Sequence, residues 1–532
     1  MELPRLNSYW QYVEYWSSVD PEFPALREGD RTATSREFEE ITDQLAKAFI
    51  SLGVNKGDRI VTILPSGIEY VFALIAAGKV NAILVPLDVK FRIADLKRFL
   101  SHADPRVLVA LPRAGDFDIV ETLNALGPEF SGIKKILVGS SEFGTSFEDL
   151  LTMPLELDEE LKAAKGDQDK DDGALVIFTG GTTGVPKAAL LSHENMALMS
   201  HIEGEYFNRF LEPFGITGRF KTIAALPPSH VGGTLECIGV GIVIGLEVLL
   251  YNSWSPTQYL DVVQREKIPF VGGVPTMFAI MLSLPDLDKY DLSSVKVALL
   301  SGEKVSLELV EGVKAKIADV VINGYGSTEA GAETNFTEPD DDPAKIAEGY
   351  AGKALPTVKI GIVDDDDNPL PPGQVGEVII GGPLAIKSYF KMPEEDKVGF
   401  TSDGWVRMGD YGYLDEDGGL YVKGRKKQII RVGSYTVLPT EIEEVVIRDP
   451  NIAMAAAIGV PDKIYGEVIW LFVVPEPGGT VDEGEILEMC KRQLAKFKVP
   501  EKVIIREDFP TTRLGKTDRV ALTKEVIESL NE

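Results

Sequence analysis

Cysteine and histidine are scarce in this 532-residue chain, which has two cysteines (Cys237 and Cys490) and four histidines (His102, His193, His201 and His230). Two cysteines so far apart cannot form the framework of a disulfide-stapled secreted protein, so a reducing cytoplasmic setting is expected. No Cys/His cluster has zinc spacing, which argues against a structural zinc site. Basic residues are outnumbered: 54 Lys+Arg against 83 Asp+Glu leave a net charge of −29. That balance disfavours general attraction to nucleic acid or an anionic membrane, and an anionic ligand would need a locally basic site. Long apolar runs are also missing. The longest, Ile238 to Leu250, carries Glu247 and falls short of the roughly 20 residues of a spanning helix. The opening MELPRLNSYWQYVEYW has neither the basic nor the apolar region of a signal peptide, so no export is expected.

What is present is globular: 44% hydrophobic and 26% charged residues, in a length that allows several domains. From about Thr34 to Leu87 helix-like and strand-like segments alternate, which predicts βα units on a largely parallel sheet. The short apolar runs RVLVAL, KILVGS, ALVIFTG, TIAALP, EVLLY, FVGGVP and VALLSG read as strands buried on both faces. Between Gly361 and Gly382 a Pro/Gly turn separates two strand-like runs, predicting a β subdomain after the α/β core. After Gly424 the basic run RKKQIIR leads to a capping-box pattern at Pro439 to Glu443, where a small α+β domain is expected. The charged stretch Asp158 to Asp172 reads as a solvated helix and loop. Gly239, Gly241 and Gly245 imitate a dinucleotide fingerprint with one residue too many, and close packing is the expected reason for them.

The segment ALVIFTGGTTGVPKAALLS carries the strongest chemical signal. A buried strand runs into a loop of Thr179, Gly180, Gly181, Thr182, Thr183, Gly184 and Lys187. Glycines let backbone N–H groups approach anionic oxygens, hydroxyls donate further bonds, and the lysine supplies charge, which suits a polyphosphate. It is not a Walker loop, because Val185 and Pro186 separate Gly184 from Lys187 and Ala188 follows. In Asn323-Gly324-Tyr325-Gly326-Ser327-Thr328-Glu329, an aromatic ring suits a base, a hydroxyl a phosphate and a carboxylate a hard cation. Read alone, each segment would also pass for an ordinary turn.

Together with GEVIIGG from Gly376, GDYGYLDEDGGLYVKGR from Gly409 and LGKTDR from Leu514, these motifs resemble those of the adenylate-forming superfamily. That superfamily holds acyl-CoA synthetases, firefly-type luciferases and peptide-synthetase adenylation domains. The resemblance runs in order from Thr34 to Arg519. It implies an α/β fold with a large N-terminal domain of parallel-type sheets (residues 1–425) and a small mobile α+β lid (426–532).

The resemblance also implies roles. Tyr325 would stack on adenine, with Gly302, Glu303 and Lys304 packing along it; Thr328 would bond the α-phosphate and Glu329 would hold Mg2+. Asp410 would accept both ribose hydroxyls, and Arg425 would bond ribose or phosphate. Lys423, Arg425, Lys426, Lys427 and Arg431 form a basic patch expected to face ATP and CoA, with Lys427 at the hinge position. Lys516 would contact the substrate carboxylate and α-phosphate, while Gly433 and Ser434 belong to the thioester-forming loop. That loop departs from the usual Gly-Gly, and Gln428 replaces a common Asp. His230, Val231, Gly232 and Gly324 are expected to line the acyl pocket. No aspartate stands in Leu226 to Gly233 to pair an amino group, so amino acids are less expected as substrates than other acids.

The function expected is an ATP-dependent carboxylic acid CoA ligase acting on a fatty or aromatic acid through an acyl-adenylate. The alternatives are an enzyme that passes the acyl group to a carrier protein, and a non-catalytic binding protein. The intact Lys187, Glu329, Asp410, Arg425 and Lys516 weigh against the last. ATP, Mg2+ and coenzyme A are the expected cofactors and co-substrates, and homodimerisation is compatible with this reading.

Overall fold

The computed structural model describes residues 3–114, 117–139, 144–179, 186–432, 435–462, 466–494, 496–510 and 517–531. The side chains of Lys427 and Arg431 are also outside this description. The backbone divides into two compact units, residues 1–361, 379–408 and 415–420 in one and residues 362–378, 409–414 and 421–532 in the other.

The first unit is mixed α/β. Its helix Ser35–Ser51 starts where Thr34 and Glu37 form a reciprocal cap: the Thr34 N–H donates to the Glu37 carboxylate (2.8 Å) and the Glu37 N–H to the Thr34 hydroxyl (3.2 Å). The next strands, Arg59–Ile63, Ile83–Pro86, Val107–Ala110 and Lys134–Leu137, pair in parallel within a seven-stranded sheet. All four residues of Ile83–Pro86 and of Val107–Ala110 are buried, because helices cover both faces of a parallel sheet. The sheet is not parallel throughout: Lys187–Ser192 closes one edge antiparallel to Gly173–Thr179.

A five-stranded sheet repeats this scheme. Phe270–Gly273, Val297–Leu300 and Val320–Ser327 are parallel, while Ala332–Phe336 returns antiparallel. A third sheet pairs Lys221–Ala224, Glu247–Leu250 and Pro24–Glu28 in parallel. Each apolar run named from the sequence contains residues of a strand. The charged stretch is the helix Asp158–Gly166, in which Leu161 is the buried residue. The long run from Ile238 splits into helix Val240–Ile244, a turn at Gly245 and strand Glu247–Leu250. Its glycines serve packing: a Cβ on Gly239 would collide with the Tyr9 hydroxyl, and one on Gly241 with Val248. Among the described residues no helix is long and apolar enough to cross a membrane.

The strands Lys359–Val363 and Gly376–Gly381 are neighbours in one sheet, as the Pro/Gly turn between them predicts. The second unit carries the antiparallel hairpin Ile452–Asp462 and Gly466–Pro475, a parallel strand Lys502–Ile505 on its flank, and the helices Pro439–Val446, Glu483–Gln493 and Arg519–Asn531. It is the expected α+β unit. The cap at Pro439 differs in detail: the Glu441 carboxylate accepts from the Leu438 N–H (3.4 Å), whereas the Thr440 hydroxyl turns to the Lys423 carbonyl (2.7 Å).

Candidate active site

In the first unit, the carboxyl ends of parallel strands gather the predicted nucleotide-binding segments, the usual place for a ligand in an open α/β sheet. Leu300, two residues before Gly302, pairs with Asn323 across neighbouring strands. The turn Gly302-Glu303-Lys304 therefore emerges beside the segment that leads to Tyr325. Glu303 accepts from the Thr276 hydroxyl (3.0 Å), and Gly302 has a positive φ of 85° that suits glycine. Asn323 is held by its N–H to the Thr337 hydroxyl (2.8 Å) and by its side-chain amide to the Tyr350 carbonyl (3.3 Å). Gly326 is required by close approach, since any Cβ there would strike the Ala332 carbonyl.

Beyond Gly326 the chain makes a single turn, Thr328–Ala330, closed by the Ser327 hydroxyl accepting from the Ala330 N–H (3.2 Å). This turn presents Glu329. Its Oε1 accepts from the Thr179 hydroxyl (3.2 Å) and from the Tyr389 hydroxyl (3.3 Å), so the phosphate-loop strand and the Glu329 turn are joined by one carboxylate oxygen. Among the described residues Oε2 takes no hydrogen bond, and no group of three or more His, Cys, Asp or Glu is arranged to hold a metal ion by itself. One carboxylate oxygen fits Mg2+, which keeps waters and completes its shell with substrate phosphates. The ion would neutralise charge on those phosphates.

Lys187 lies opposite Thr179 on the edge strand. Its ammonium is 3.0 Å from the Glu395 carboxylate and 4.8 Å from the Tyr389 ring centroid. Tyr389 thus touches both groups assigned to phosphate and metal, and burial followed by the Glu329 charge pushes its phenol pKa up. Neither Tyr389 nor Glu395 is marked in the sequence, because no local pattern surrounds them. His230 is exposed and precedes a π-helical segment, Gly232–Gly239, whose first turn folds back on it: the Gly233 N–H donates to the His230 carbonyl (3.1 Å). Segments of this kind are frequent at functional sites.

In the second unit Asp410 is buried, and its Oδ1 lies 3.0 Å from the Arg425 Nε. Lys426 pairs with buried Glu377 (2.8 Å). Lys427 falls in the short turn Lys426–Gln428, and Arg431 in the strand Ile430–Val432, where its backbone is in register with Thr436 of the neighbouring strand. Of the remaining candidates, Gly180, Gly181, Thr182, Thr183, Gly184, Gly433, Ser434 and Lys516 lie outside the described residues.

These assemblies are those of an adenylate-forming enzyme. The model of the AMP-binding enzyme family matches residues 13–390 and that of the AMP-binding enzyme C-terminal domain matches residues 441–516, and the chain belongs to this family. Its relatives place it in the acyl-CoA synthetase branch. It is 30% identical over 515 residues to a Bacillus subtilis (strain 168) protein provisionally named acyl–CoA ligase YdaB, covering 96% of this chain and 97% of that one. It is 28% identical over 501 residues to a feruloyl-CoA synthase of an Amycolatopsis species, covering 94% and 95%. The solved structure of ATP-bound MatB from Rhodopseudomonas palustris superposes with a TM-score of 0.83 at 26% identity, over 97% of this chain and 99% of that one.

Proposed function

We propose that the protein joins a carboxylic acid to coenzyme A with the conversion of ATP to AMP and pyrophosphate. A carboxylate is a poor acyl donor, being anionic and without a leaving group. One carboxylate oxygen attacks the α-phosphorus, the bond to the bridging oxygen breaks and pyrophosphate leaves. The sulfur of CoA, its proton lost, then attacks the acyl carbon of the adenylate and AMP departs. Both steps rest on positioning and on stabilising charge, rather than on a nucleophile supplied by the protein.

The observation that carries this reading is the joining of Thr179, Tyr389 and Glu329 beside Lys187 in a chain that aligns over 96% of its length with a protein named as an acyl-CoA ligase. In it Lys187 and the 179–184 loop hold the outer phosphates, Thr328 the α-phosphate, Tyr325 the adenine, Asp410 and Arg425 the ribose, and Glu329 the Mg2+. Lys516 supplies charge at the attacked phosphorus. The lid, residues 426–532, turns about Lys427 so that Gly433 and Ser434 serve the thioester step. We place the reaction in the cytoplasm, where ATP and CoA are supplied, and the working form as a homodimer.

The test is AMP and pyrophosphate formation across a panel of acids, with and without CoA. Pyrophosphate release that requires the acid, and acyl-CoA formation that requires CoA, are the expected results. AMP formation indifferent to CoA would assign the acyl group to another acceptor.

A further inference from the structure

Three glutamates lie on separate elements of the first unit, two of them against glycines of the predicted acyl pocket. Glu203 is on helix His193–Leu211, Glu236 in the π-helical segment Gly232–Gly239 and Glu333 on strand Ala332–Phe336. Glu203 is wholly buried, and neither of its carboxylate oxygens has a hydrogen-bond partner among the described residues. Glu333 is 3% exposed; its Oε1 accepts from the Ser301 hydroxyl, and its Oε2 is buried without a partner. None of the three pairs with a Lys, Arg or His among the described residues.

Position ties two of them, Glu236 and Glu333, to residues assigned to the acyl pocket. An ideal Cβ on Gly324 would stand 2.9 Å from Glu333 Oε2, and one on Gly232 would stand 3.6 Å from Glu236 Oε2. Gly324 and Gly232 are two of the residues assigned to the acyl pocket, so carboxylate oxygens reach the space that larger side chains would fill. Glu236 is partly exposed, and His230, which precedes that segment, is exposed.

Uncompensated carboxylates in such a place are costly, and the protein offers no cation of its own. Burial, with the charge of Glu236 added, pushes the pKa of Glu203 and Glu333 well above the carboxylate range, and burial pushes Glu236 up to about 7. The three are not arranged as metal ligands. A spread of acceptors without a metal geometry suits an organic ammonium group, whose N–H bonds point to several oxygens at once.

We propose that the acid this enzyme activates carries a cationic amino group remote from its carboxylate, and that Glu203, Glu236 and Glu333 receive that group. The inference rests on the acid-activating reading above. It also revises the expectation against amino acids, which looked for a carboxylate only within Leu226 to Gly233. The acceptors come instead from further along the same segment and from two distant elements.

The test is ATP–pyrophosphate exchange with matched pairs: 4-aminobutanoate against pentanoate, 6-aminohexanoate against heptanoate, and 4-(aminomethyl)benzoate against 4-ethylbenzoate. The best aminated acid should exceed its neutral partner by about 10,000-fold in kcat/KM, the scale on which a site built to hydrogen-bond a substrate group rejects an analogue lacking it. Glu333→Gln and Glu203→Gln keep shape and remove the carboxyl group that a bound ammonium would hold ionised; each should cut that preference at least tenfold, mainly through KM. Their thermal melts report folding, and Glu236→Gln, at the partly exposed position, supplies a third variant. Exchange favouring the neutral acids, or a preference unmoved in folded Gln variants, overturns the inference and leaves acid activation standing. Exchange with no acid of either kind, extended over short, long and aromatic chains, overturns acid activation itself.

Discussion

The buried carboxylate of Asp410 and the exposed guanidinium of Arg425 meet at 3.0 Å between Oδ1 and Nε, fifteen residues apart in the chain. Arg425 is 58% exposed at its side chain and Asp410 only 7%, so the pair is anchored from the carboxylate side. A half-exposed pair of this kind adds little to stability, roughly 0–1 kcal/mol. Its value lies in aiming an acceptor. Asp410→Ala should therefore leave the melting temperature nearly unchanged while raising KM for ATP by about 30-fold or more, the loss of a charge-assisted bond. Titration of ATP into the variant checks this, and unchanged affinity would remove Asp410 from the ribose.

Glu329 offers a separate test, because Thr179 and Tyr389 both donate to Oε1. Glutamine retains a carbonyl oxygen for those hydroxyls but loses the charge a hard cation requires. Glu329→Gln should fold normally and need roughly tenfold more Mg2+ for half-maximal adenylation. An unchanged Mg2+ curve would take Glu329 out of the metal shell.

Lys516 is assigned to the first half-reaction alone. Lys516→Ala should depress adenylate formation by about 100-fold or more, yet leave thioester formation from preformed acyl-adenylate within a few-fold of wild type. Equal losses in both steps would refute the assignment.

The turn at Lys426–Gln428 is the place where a pivot is proposed. Proline at 427 fixes φ there and restricts Lys426, without entering either core. In single-turnover chemistry Lys427→Pro should form adenylate and accumulate it while acyl-CoA production falls. If both steps slow alike, or neither does, the pivot lies elsewhere.

Acid stability should depend on Glu266, whose Oε2 accepts from Arg27 and Lys221, each at 2.7 Å. Burial alone would raise its pKa, but the bonds from Lys221, Arg27 and Arg265 outweigh it and bring the value from 4.5 to about 2. A depressed carboxylate stabilises the fold above its unfolded pKa, and that stability is lost as pH falls through the folded one. The contribution, on the order of 3 kcal/mol, should fade between pH 4.5 and 2. Glu266→Gln should lower the melting temperature at pH 7 and flatten its decline below pH 4.5; parallel declines in the two proteins would contradict this.

Much of the molecule is local and so legible in the chain. Strands such as Val107–Ala110 announce themselves because burial on both faces demands an unbroken apolar run, and the helix after Thr34 because Glu37 answers it three residues on. The motifs around Tyr325 and Asp410 are legible for a related reason: adjacent atoms of one ligand recruit adjacent residues. Pairings across elements carry no such mark. That Tyr389 reaches both Glu329 and Lys187, that Glu236 and Glu333 lie against Gly232 and Gly324, and that Glu203 is buried without a partner among the described residues was decided only in the packing of separate elements. A glutamate in a sequence reads as a solvated charge. It takes the tertiary structure, by removing water and withholding a cation, to turn three of them into a receptor.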